Sequence, residues 1–290
     1  MKSISLTNTM VDANERTFPR LVATLQSTLL VFFLFFPVTF IQLFLHEGGH
    51  ALVHLIEGYP VQFLYAHPFS FIGYVRPGGD YYNIWSHASG TIFEILVSAA
   101  IFILLWKWRS FYTLPLLLVF PWIALYDGLG GLLSGPGDDY NLLRITGWSP
   151  IPFYAIDLIL IVVGIFFLSS LFPLLSLKPE DRKSLFVLPA GMLLYSAVGL
   201  LIALALVPGS PIDVQFDVGQ EIIMSARYRP IFMGSIGLLL ALIYGSLYRV
   251  TYKRLPAMLR TEGLCLCWRD LIYPGVLFII SLVLGLIVIL

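Results

Sequence analysis

"LVATLQSTLLVFFLFFPVTFIQLFLHEGGHALVHLIEG", residues 21–58, decides the fold. From Leu21 to Leu45 it holds no charged residue. As a helix that run alone extends about 37 Å, more than the roughly 30 Å of a bilayer's hydrocarbon. It reads as a membrane helix. Its last third nevertheless carries His46, Glu47, His50, His54 and Glu57. Ionisable groups are costly in lipid and by default mark function there. The stretch therefore asks for a bilayer and for a chemical reason.

The rest of the chain agrees about the bilayer. Of 290 residues, 58% are apolar and 12% charged, half the roughly 25% charged that a soluble domain carries. The expected fold is an all-α polytopic membrane protein of six to seven transmembrane helices, multi-pass and placed in the cell membrane. Candidate spans are Leu21 to Glu57, Ala88 to Trp106, Phe111 to Ser134, Ile151 to Leu177, Leu185 to Val207, Ile231 to Tyr248 and Leu271 to Leu290. The first run is too long for the core of a signal peptide and is not followed by a small-residue cleavage site, so it is expected to be retained. Net charge is zero with no basic block, which argues against nucleic acid as a partner. Cys265 and Cys267 cannot build a disulfide framework and read as two free thiols.

No internal repeat interrupts the chain, and the simplest organisation is one membrane-embedded domain over residues 1–290. Its chemistry is concentrated in about 21–150, with additional helices in 151–290. Two connections are more than linkers. "YPVQFLYAHPFSFIGYVRPGGDYYN", residues 59–83, is aromatic, β-branched and punctuated by Pro and Gly, and predicts one or two short β-hairpins after the first helix. "LSGPGDDYNLLRITGWSP", residues 133–150, has a Gly-Pro-Gly breaker and then two aspartates placed to start a helix. Irregular backbone near a membrane needs protein or water around it, so both segments are expected to line a cavity.

Basic residues set an orientation. With the N-terminus inside, thirteen Lys and Arg fall on the inner segments and only Arg76, Arg144, Arg227 and Arg229 on the outer ones. The positive-inside rule then favours N-in and C-out.

His46-Glu47-Gly48-Gly49-His50 fits H-E-x-x-H. Four helical residues turn the second histidine about 40° from the first and raise it about 6 Å, so both imidazoles can grip one Zn²⁺. Glu47 then stands beside the metal as a base for water. Chance produces the pattern on the order of a few times per thousand chains of this composition. His54 lies about 12 Å from His46 along the same helix, out of reach of one ion. The third ligand must come from elsewhere, and Glu94, Asp127, Asp138, Asp139 and Asp157 are the acids that could reach the membrane core. Glu94 and Asp157 are equally well explained by hydrogen bonds between helices.

An H-E-x-x-H inside a membrane helix, with an aspartate about ninety residues later, resembles the site-2 protease family of intramembrane zinc metallopeptidases. "FLHEGGHALVHLIEG" is similar to the family's first motif. "SGPGDDYNLLRITGWSP" is similar to the aspartate motif of a compact prokaryotic branch. The resemblance covers roughly residues 40–150. It implies His46 and His50 as ligands, Glu47 as catalytic base, and Asp138 as the best third ligand, with Asp139 and Asp127 as alternatives. Asp127 stays in play because "YDGLGG", residues 126–131, is similar to the end of the better-known members' aspartate motif, which this chain otherwise lacks. The family also implies a metal nearer the cytosolic side, against the outer placement that the positive-inside count gives.

The function so expected is hydrolysis of peptide bonds within or near transmembrane segments of membrane proteins. Zn²⁺ is the cofactor and an unwound membrane polypeptide the substrate, captured by an edge strand in 59–83. A catalytically silent metal-binding or partner-binding membrane protein is the alternative from another class. Metal transport fits less well, because the histidines cluster on one helix.

Overall fold

The computed structural model describes residues 6–67, 72–77, 83–134, 138–175, 186–208, 219–251 and 266–285. The chain is an all-α polytopic membrane protein. Among the described residues six helices are long and apolar enough to cross a bilayer; the seventh expected span, Leu271 to Leu290, is described only to residue 285.

Helix α1 runs unbroken over Leu6–Ile56, and its apolar stretch Val22–Ile56 is the first span. Gly58 ends it with a φ of 84°. The Gly58 and Tyr59 N–H groups donate back to Leu55 O and His54 O at 3.1 and 2.9 Å, satisfying carbonyls the helix end would otherwise leave open. Strands β1 (Val61–His67) and β2 (Ile72–Pro77) follow and pair antiparallel, so the 59–83 segment makes one hairpin. Helix α2 is Ile84–Leu105, α3 Leu114–Ser134 and α4 Asp138–Thr146. Beyond these come α5 (Ile151–Leu171), α6 (Val187–Leu206), α7 (Gly219–Thr251) and α8 (Ile272–Leu284).

Helix α1 is the central post. It packs against α2, α3, α6, α8 and both strands. Its middle inserts Leu30, Val31, Leu34, Phe35, Phe36 and Val38, all buried, into one apolar core. Phe35 meets Trp122 of α3 edge-on at 5.0 Å, and Phe36 meets Tyr195 of α6 and Phe278 of α8 at 4.6 Å each. Lipid is as apolar as this core, so helices hold together by close packing and buried hydrogen bonds rather than by transfer from water. The α3–α5 pair illustrates close packing: Gly128 and Gly131 sit directly against the backbone and carboxylate of Asp157.

Two expectations need correction. Helix α2 begins four residues before Ala88, because Asn83 caps it. Helix α7 begins at Gly219 rather than near Ile231, continuing through Arg227, Arg229 and Pro230. Arg229 is therefore not an outer-face charge: it is 2% exposed inside the bundle. Its guanidinium stacks over the Tyr195 ring at 4.5 Å and donates to the Tyr195 hydroxyl. That hydroxyl donates to Thr39 Oγ1 of α1 at 2.8 Å. The outer tally falls to three, which leaves the charge asymmetry intact.

Candidate metal centre

Thr39, Gln42, His46, His50, His54 and Glu57 recur every three or four residues along α1, which places them on one helical stripe. Small and polar residues of α2 answer it at the same spacing: Ser86, Gly90, Glu94 and Ser98 are its buried residues together with Phe102. Two glycines bring the stripes together. A Cβ on Gly49 would lie 2.5 Å from Ser89 O, and one on Gly90 would collide with His50 Nε2 and come within 2.9 Å of His46 Nε2. Only glycine lets α1 and α2 approach this closely with two imidazoles between them.

The imidazoles are set edge to face, and their Nε2 atoms are 3.2 Å apart. Each Nδ1 faces an acceptor. His46 Nδ1 donates to Glu94 Oε1 at 2.7 Å, and His50 Nδ1 donates to the Ser86 carbonyl at 2.5 Å. With both Nδ1 atoms protonated, both Nε2 atoms present lone pairs to one another, a geometry that a shared cation would satisfy. Two Zn–N bonds of about 2.0–2.1 Å at a tetrahedral angle separate their nitrogens by about 3.3 Å. Histidine ligands characteristically donate the far nitrogen to a carboxylate or carbonyl. The pair fits zinc on both counts.

Comparisons with protein-family models, curated proteins and solved structures found no match.

Glu47 follows His46 and is 7% exposed. Gly73 of β2 lies directly on its side chain, where any Cβ would strike Cγ and Oε1. Since Glu47 is nine residues short of the end of α1, the hairpin must fold back about 14 Å along the helix to reach it. It packs on α1 beside the end of the apolar span Val22–Ile56, where non-helical backbone needs protein or water around it. Tyr65 of β1 is buried, and that burial pushes its hydroxyl well above the ordinary 10.0, so it stays neutral.

The acids separate by position. Glu94, 1% exposed, holds the far nitrogen of His46 and so orients that ring. Asp157 is buried between α5 and α3, and Asp127 is half-buried in α3. Among the described residues no group of three His, Cys, Asp or Glu is arranged to hold a metal ion. Asp138 and Asp139 open α4, as the sequence predicts, and α4 packs against α2. Their side chains lie outside the described residues. Gly147, with a φ of 66°, ends α4. His54 is buried at 2% exposure, one turn beyond His50.

Sequence reasoning did not single out Asn83, Ser86, Gly90 or Gly73. A usable signal for the α2 residues was present: Ser86-x-x-x-Gly90-x-x-x-Glu94 repeats at helical spacing opposite the histidine stripe.

Proposed function

We propose that the chain is an intramembrane zinc metallopeptidase of the cell membrane, cleaving peptide bonds within or near transmembrane segments of other proteins. The observation that carries this reading is the facing Nε2 pair at 3.2 Å, each ring held from behind, with a buried glutamate next in the helix. His46 and His50 would hold the ion, and Asp138, at the start of a helix packed on α2, is the proposed third ligand.

Bound zinc would supply a Lewis acid that polarises a carbonyl and lowers the pKa of water toward about 7. The chain's own residues do the rest. Glu94 and the Ser86 carbonyl fix both imidazoles with the proton on Nδ1. Glu47 takes a proton from the attacking water on its carboxylate and returns it to the departing amine. The hairpin shields Glu47 from bulk water through Gly73, and its strand edges offer N–H and C=O groups to an unwound substrate segment.

The test uses purified protein in lipid nanodiscs with a reporter transmembrane peptide carrying a helix-destabilising Gly-Pro pair. Glu47→Gln keeps the side chain's shape and removes the base. Zinc stoichiometry should stay near one while cleavage falls by about 10²–10⁴-fold. Undiminished turnover in that variant would overturn the mechanism. Bound zinc in wild-type protein that cleaves no peptide would favour the silent metal-binding reading.

A further inference from the structure

The hydrogen bond behind His50 is the inner end of a longer chain. Ser86 O, which accepts from His50 Nδ1 at 2.5 Å, belongs to the first turn of α2. Asn83 fixes that turn through a reciprocal cap. Its Oδ1 accepts from Ser86 N at 2.8 Å, and Ser86 Oγ accepts from Asn83 N at 2.8 Å. Asn83 Nδ2 in turn donates to Glu57 Oε1 at 2.7 Å. Ser89 Oγ also donates to Ser86 O, at 3.0 Å. The path from Glu57 through Asn83 and Ser86 to His50 is thus continuous.

Glu57 and Asn83 also bracket the hairpin. Glu57 precedes β1 and Asn83 follows β2, so their hydrogen bond ties together the two ends of the segment that carries the hairpin, its neck. The hairpin touches the site twice: Gly73 rests on Glu47, and the neck is tied to His50. N-caps are ordinarily local devices. This one has its first-turn carbonyl committed to a candidate metal ligand and its cap side chain committed to the far helix.

Building on the metallopeptidase reading, we propose that Asn83, clasped by Glu57, is a positioning residue for His50. The neck of the hairpin sets the orientation of a metal ligand, so hairpin and metal centre move as one unit. The donor–acceptor polarity of the clasp makes the proposal testable by exchange. Asn83→Asp keeps the oxygen that caps Ser86 N but loses the donor to Glu57 and sets two carboxylates face to face. Glu57→Gln leaves an amide oxygen that still accepts from Asn83. In the double variant the new amide at 57 donates to the new carboxylate at 83, restoring the bond with its direction reversed.

Zinc affinity is measured by chelator competition on the full chain in nanodiscs, beside thermal unfolding. Asn83→Asp should weaken zinc by about 10–100-fold, the usual effect of losing an outer partner of a ligand, with its unfolding midpoint kept by the retained cap. Glu57→Gln and the double variant should both lie within about threefold of wild type. Wild-type affinity in Asn83→Asp, or a double variant no better than that single one, would overturn the clasp. A second measurement is independent of metal. In zinc-free protein labelled with ¹⁵N-histidine, the His50 Nδ1–H resonance should move in Asn83→Asp and return in the double variant. If wild-type protein binds no zinc, the metallopeptidase reading fails and this resonance alone decides the clasp; an unmoved resonance rejects it.

Discussion

Between Leu30 and Val38, α1 meets α3, α6 and α8 through interlocking aliphatic and aromatic side chains. Between His46 and Glu57 the same helix meets α2 and the hairpin through directed hydrogen bonds and glycine contacts. Trp122 and Gln42 mark the border, where the indole N–H donates to the amide oxygen at 2.9 Å. The lower contact depends on volume, and many apolar side chains could fill it. The upper one depends on which atom faces which. Loss of one partner there would misdirect a proposed ligand, whereas loss of one ring below leaves a hole.

The largest expected effect separates two aspartates at the upper end. Asp138→Ala should empty the site, read as zinc stoichiometry falling from near one to near zero. Asp127→Ala and His54→Ala should leave it filled if Asp138 is the third ligand, His54 lying about 12 Å from His46 along α1. Zinc lost with Asp127→Ala and kept with Asp138→Ala would show that α3, not α4, completes the centre.

A crossed pair of variants then asks whether the two ends of α1 are independent. Glu94→Gln retains an oxygen for His46 Nδ1–H but removes its charge, and zinc should weaken by about tenfold with little change in unfolding. Phe36→Ala removes a fully buried ring that touches Tyr195 and Phe278. It should cost about 2 kcal/mol, mainly the cavity part of the usual penalty since lipid replaces water as the alternative environment. Zinc affinity of its folded fraction should be unchanged. If Phe36→Ala loosens zinc as much as Glu94→Gln does, the apolar core is positioning the ligands too.

The sequence could be read for the lower end and for half of the upper one. Length and apolarity sufficed to expect membrane helices, and His46 and His50 share a face by spacing alone. Aspartates after Gly-Pro-Gly located the start of α4. The start of α2 was missed because its cap uses Ser86 where the common pattern has Glu or Gln. The start of α7 was missed because Arg227, Arg229 and Pro230 resemble a loop until Tyr195, itself bonded to Thr39, is seen to receive the buried Arg229 guanidinium. Glu94 was seen as an acid in a helix, but its partner is 48 residues away. No local pattern records which distant nitrogen a carboxylate will meet.

The smallest expected effect comes from a second cap. Cys267 and Asp270 form a capping box at the turn, Trp268–Leu271, that opens α8. Tyr273, in the first turn of α8, donates to Tyr112 O at 2.8 Å, and Tyr112 lies between α2 and α3. Tyr273 thus ties α8 to the segment that follows α2, at the other end from Asn83 of a 22-residue helix about 33 Å long. Asp270 Oδ2 accepts from Cys267 N–H at 2.7 Å, and that backbone bond, with a smaller contribution from the Cys267 side chain, holds its carboxyl below the ordinary 3.8. A lowered folded-state pKa means the stabilisation is full above pH 3.8 and is lost as pH falls through the folded value. The carboxylate is exposed and screened, so only a few tenths of a kcal/mol are at stake. Unfolding midpoints of wild type and Asp270→Asn, compared at pH 6 and pH 3, should show a slight wild-type advantage that shrinks with acid. Zinc affinity at pH 7 should be identical in the two. The capping boxes of α2 and of the turn before α8 would then differ in what hangs from them: a proposed metal ligand from the first, a solvent-facing turn from the second. A zinc defect in Asp270→Asn would mean that a strain at either end of α2 reaches His50, and the contrast between the two caps would fail.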